Sequence, residues 1–167
     1  GGAFQQGLTP LSMMAAPSFN DAFVREGFAL APLFTSGSMY LMAFVAPYEA
    51  ETAGHATMRA TFSAMGIDSA NTFLVAGWAS QHHLKGVLEA ANKGGDLTRA
   101  GIRRAAGSVY VDSDGMMPQR ELGQNRADAE SFIAVPDGTI ASGVKLLAGN
   151  YVGPSAGGYD WESGPCS

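Results

Sequence analysis

The chain has 167 residues, of which 46% are hydrophobic and 15% charged, a composition that fits one globular domain and excludes disordered and fibrous classes. A net charge of −5, with no long Lys/Arg cluster, argues against nucleic acid and anionic membrane surfaces as partners. The single cysteine, Cys166, excludes an intramolecular disulfide and a zinc site built of thiolates, and no apolar run approaches the roughly 18 residues of a bilayer span.

The opening GGAFQQGL is weakly patterned and has no basic region followed by an apolar core, so no signal peptide is expected in the chain as given. Leu8 to Met14 reads as a short buried strand. Pro17, Ser18 and Asn20 mark a loop, with Ser18 or Asn20 placed to cap a short helix reaching Glu26, and Gly27 ends it. Ala29 to Phe34 is apolar, and Thr35-Ser36-Gly37-Ser38 is turn-like. Met39 to Ala46 is the clearest strand of the first half, closed by Pro47.

Glu49 to Met65 is expected to be a helix with Met58, Thr61, Phe62 and Met65 on one face, stopped by Gly66 in the left-handed conformation. A longer helix starts at Asn71 or Thr72, carries Leu84, Val87, Leu88 and Ala91 at the same spacing, and ends at Gly94-Gly95. Asp96 is the expected N-cap of a third helix, which has Arg103 and Arg104 in its last turn and Gly107 as its stop. Ser108 to Val111 reads as a strand and Asp112 to Asp128 as a polar connection. Ser131 to Val135 and Thr139 to Leu147 read as a hairpin around Pro136-Asp137-Gly138. From Gly149 onward the chain is Gly/Ser/Pro-rich and reads as a loose tail.

Catalytic and metal patterns are weak. His82 and His83 are adjacent, so on a helix they point about 100° apart and do not share a face, whereas a helical zinc pair needs i, i+4 spacing. His55 is alone on another helix. Asp112-Ser113-Asp114-Gly115 fails the calcium-loop register and reads as a strand-ending turn. No G-x-S-x-G elbow and no Gly-rich phosphate loop occurs. No enzyme, cofactor or metal site is therefore expected.

The ordered set of elements resembles a known family. Leu8 to Asn20, the short helix and the strand Met39 to Ala46, then Gly77-Trp78 at the place of a Gly-Tyr near a helix start, then Leu84 to Ala91 followed by Gly-Gly-Asp-Leu-Thr-Arg, resemble the C-terminal half of the type I periplasmic solute-binding proteins, the branched-chain amino-acid-binding family of ABC transporters. The resemblance implies an α/β fold, part of two three-layer α/β/α lobes with ligand held between them. It places residues 1–46 in the second lobe and 47–112, with three helices, in the first. Residues 113–148 return to the second lobe, and 149–167 form the tail. It also implies ligand contacts from Ala16, Ser18, Phe19, Asn20, Gly77 and Trp78. Amino-acid-binding members carry an acidic side chain where this chain has Ala16. Without it a ligand ammonium loses a charge-assisted bond of about 1.5–3 kcal/mol. The implied partners are a small organic ligand such as an amino acid, an ABC permease and the N-terminal half of the same protein. The implied location is periplasmic or extracellular, free or anchored as a lipoprotein. A ligand-sensing regulatory domain of the same fold and an α/β enzyme with an unrecognised site stay open as alternatives.

Overall fold

The computed structural model describes residues 6–7, 10–118, 120–121 and 130–157. Its sheet grows from short strands of alternating burial. Strand β1 (Ser12–Ala15) runs parallel to β2 (Met39–Ala43), with Met14 opposite Leu41. Antiparallel strands β5 (Ser131–Pro136) and β6 (Val144–Tyr151) complete the order β1-β2-β5-β6. Because neighbouring residues on a strand face opposite ways, Met39, Leu41 and Ala43 point into the core while Tyr40 and Met42 face the other side.

The crossover from β1 to β2 covers the inner face. It consists of two 3-10 turns, Ala16–Ser18 and Asp21–Val24, and a one-turn helix α1 (Ala31–Phe34). Asn20 accepts a hydrogen bond from the Ala22 N–H and so caps the second turn, and Gly27 at φ +88° redirects the chain after it. Phe19, Val24 and Phe34 pack on Leu41, Ala134 and Val144. Burying Leu41 completely is worth about 1.5–3 kcal/mol.

After β2 the chain leaves the sheet for α2 (Ala53–Ala64), α3 (Thr72–Lys93) and α4 (Arg99–Ala106). A two-stranded ribbon follows, β3 (Tyr110–Val111) against β4 (Arg120–Glu121). A second core joins Val45, Tyr48, Met58, Phe62, Val75, Ala79 and Met116. The short helix α5 (Pro154–Gly157) ends the described chain.

Several expectations need correction. Helix α2 begins at Ala53 rather than Glu49, because the Tyr48 and Ala50 carbonyls are taken by the Arg59 guanidinium and Thr52 caps the helix through the His55 N–H. Thr98, not Asp96, is the N-cap of α4: the Asp96 carboxylate is occupied by the Thr98 N–H and hydroxyl and by Arg104. The hairpin has a wide loop over 137–143 instead of a tight Pro-Asp-Gly turn, with Gly143 at φ +77° against Asp21. On α3, Val87 and Ala91 are buried but Leu84 and Leu88 are exposed, and on α2 Met65 is exposed. Gly149 to Tyr151 belong to β6, and the tail beyond residue 157 lies outside the described residues, as do Leu8 and Thr9.

Candidate functional site

The first 3-10 turn lies against α3, which brings the loop after β1 to the long helix. Ala16 is buried and Ser18 is exposed beside it. The Phe19 ring faces the core instead, 2% exposed, in edge contact with Phe23 and Phe34. The Asn20 side chain is committed to its capping bond, 2.9 Å from the Ala22 nitrogen. Asp21, the nearest carboxylate in the loop, pairs with Arg25, whose guanidinium also reaches the Ile140 and Ala141 carbonyls.

On α3, Gly77 and Trp78 are consecutive and diverge. Gly77 is exposed, with nothing within 4 Å of where a Cβ would sit. Trp78 turns inward and stands edge-on to Phe62, with centroids 5.6 Å apart. Its outer edge opens on a groove of about 440 Å³ running along α3, whose walls include His82, Lys85 and Glu89 together with Tyr110 and Asp112. Gly86 lets β3 approach the helix, since an added Cβ there would meet Val111 Cγ2 at 3.2 Å. Thus the structure sets Ala16 and Ser18 near α3 and puts Trp78 on its groove side, while Phe19 and Asn20 serve the loop from behind. Among the described residues no group of three His, Cys, Asp or Glu side chains is placed to hold a metal ion.

No pattern in the sequence announces the links between sheet and helices. Residues 44–52 lead out of the sheet, and residues 112–118 run beside them. The Ala46 N–H donates to the Met116 carbonyl at 2.9 Å, and the Gly54 N–H to the Asp114 carbonyl at 3.0 Å. Asp114 and Gly115 take positive φ to make this turn, which the Asp112 side chain closes through the Asp114 N–H. Glu49 clamps the distant hairpin loop, accepting from the Ser142 hydroxyl at 2.5 Å and its N–H at 3.0 Å. Glu49 and Ser142 are far apart in sequence, and no local signal joins them. His55 did carry a signal: it precedes Met58 and Phe62 at i+3 and i+7, on the buried stripe of α2.

No protein-family model matches the chain, and no curated protein matches it. In structure it is similar to a fatty acid ABC transporter substrate-binding protein from Thermomonospora curvata, with a TM-score of 0.77 and 18% identity. The match covers 94% of this chain and 40% of that one, so this chain spans well under half the length of its structural neighbour. The fold is accordingly a mixed α/β domain that matches part of an ABC transporter substrate-binding protein.

Proposed function

We propose that this chain is part of an extracytoplasmic solute-binding protein, one that captures a small organic molecule in a cleft and delivers it to an ABC permease. The observation that carries the reading is the structural likeness to a transporter substrate-binding protein across nearly the whole chain. The neighbour's description is of a binding protein, which favours a binder over an enzyme for this chain. Exposed apolar faces support a further half: Met13, Met42 and Phe44 on the open side of the sheet and Leu84 and Leu88 on α3 are 39–63% exposed.

The proposed ligand contacts are the loop Ala16 to Asn20, with Ser18 at its exposed tip and Phe19 and Asn20 shaping it, and Gly77 and Trp78 on α3. Ala16 offers no charge to a ligand ammonium, and Asp21, the carboxylate of the same loop, is held by Arg25. This favours an apolar or aromatic small molecule over a zwitterionic amino acid. The fatty acid in the neighbour's description fits the same preference.

The test is a panel of fatty acids, aromatic acids and branched-chain amino acids against the full-length gene product, read by thermal shift and tryptophan fluorescence. An apolar acid is expected to raise the melting temperature and change the emission, and Trp78→Phe to remove most of that change. No stabilisation by any member of the panel would sink the reading. Stabilisation by leucine or valine alone would overturn the ligand class.

A further inference from the structure

Helix α4 packs on α3 with Gly101 buried and Ile102, Ala105 and Ala106 half-buried, and it leaves Arg99, Arg103 and Arg104 exposed. Lys93, at the end of α3, and Leu97, 57% exposed, precede it. Residues 93–104 hold four of the chain's ten cations and one of its fifteen acids. That acid, Asp96, is taken by Thr98 and Arg104. Glu89, one turn before Lys93, pairs with Lys85. Among the described residues Lys93, Arg99 and Arg103 therefore have no carboxylate partner. Lys93, Arg103 and Arg104 stand in last turns, where the helix dipole favours a cation. Arg99 does not. It directly follows the Thr98 cap, at the positive end of the dipole, and it forms a like-charge i, i+4 pair with Arg103. Both placements oppose helix formation, and no acid in the first turn offsets them. A local rule broken without compensation inside the chain points outward, to a partner.

We propose that Lys93, Leu97, Arg99 and Arg103 form a docking surface for an acidic segment of a partner protein, with Arg99 pairing a partner carboxylate. A guanidinium matches a carboxylate bidentately, so the pair gives direction as well as charge, and Leu97 offers an apolar contact in the same stretch. A narrow segment suits the patch better than an anionic membrane does. Outside residues 93–104 the remaining six cations face fourteen acids, and an extended anionic surface is repelled by that charge. A loop touches the patch alone. The docking surface stands on these residues without reference to any ligand. Under the solute-binding reading an extracytoplasmic loop of the permease is the place for such a segment, and that identification alone rests on the reading.

The test uses the full-length gene product with two probes: a dye-labelled hexaglutamate peptide, read by anisotropy at low salt, and phosphatidylglycerol vesicles, read by co-sedimentation. The parent is expected to bind the peptide and not the vesicles. Arg99→Glu is expected to weaken peptide binding about tenfold. Lys145→Glu, the same change in net charge at an exposed cation on β6, is expected to weaken it less than about twofold. Arg99→Glu is also expected to raise the melting temperature, because it puts an acid at the helix start and an attractive partner one turn before Arg103. A residue kept for stability would move the other way. No peptide binding by the parent, undiminished binding by Arg99→Glu, an equal loss in Lys145→Glu, or a lower melting temperature for Arg99→Glu would each overturn the proposal. Vesicle binding that Arg99→Glu abolishes would assign the patch to a membrane and overturn it as well. The ligand panel reads the cleft and not this patch, so failure of the docking surface and failure of the transport reading are distinguishable.

Discussion

Gly54→Ala should be the sharpest probe of how residues 112–118 pack on α2. Gly54 is buried in the first turn of α2, and an added Cβ would sit 2.5 Å from Met116 Cγ and 2.8 Å from the Ser113 carbonyl oxygen. Met116 is itself fully buried, with its carbonyl holding the Ala46 N–H, and the Ser113 oxygen is backbone. Rotating a side chain therefore relieves only part of the clash. Overpacking of this kind costs about 1–3 kcal/mol. The helical preference of alanine over glycine returns at most about 1 kcal/mol, and less this close to the helix start. The net loss is about 1–2 kcal/mol, or about 2–8 °C in melting temperature for a chain of this size. Gly77→Ala is the control, since nothing lies within 4 Å of its added Cβ. It should gain about 0.5–1 kcal/mol. Urea and thermal unfolding of both variants give the comparison. A Gly54→Ala chain as stable as the parent, beside a stabilised Gly77→Ala, would refute the close packing of 112–118 on α2.

Phe19→Ala should cost about 3–5 kcal/mol in urea unfolding, as a core aromatic does, while Ser18→Ala should stay within about 0.5 kcal/mol. Equal effects would place the Phe19 ring outside the core. Glu49→Gln should cost about 1.5–3 kcal/mol through its bonds to Ser142, and Ser142→Ala should add little on top of it. Additive losses would show that the two do not act as a clamp. Stability should also fall on acidification because of His55. Its folded value lies below 6.5, so its contribution is complete above that pH and is lost as pH drops toward the folded value. Denaturant midpoints from pH 7.5 to 5 check this, and a His55→Gln chain with the same slope would exclude the histidine as its source.

Helix ends were the most legible part of the fold. Asn71 caps α3 with its side chain, and Gly66 and Gly95 take the positive φ that follows α2 and α3, because capping is decided within one turn. Asp96 shows where local reasoning stops. Asp96 and Thr98 are both competent caps, and Arg104, eight residues on, joins Thr98 in occupying the aspartate. The α3 stripe shows a different shortfall. Periodicity marks Leu84 and Leu88 as apolar but says nothing of what meets them, and among the described residues they stay exposed. Of the candidate site, Ala16, Ser18 and Trp78 were identifiable only by resemblance. That the first 3-10 turn lies against α3 at all is decided by tertiary packing.

By itself the sequence determined the succession of short strands and helices, since side-chain period and capping are local properties, while the α/β class was what the family resemblance implied. Tertiary structure alone decided that Phe19 packs inward and that Glu49 reaches Ser142. It also buried the His55 ring between the Ala46 carbonyl and the Thr52 hydroxyl. Each of these depends on groups far apart in the chain. Their pairing is set by how the sheet and the helices close on each other, and no spacing rule encodes it.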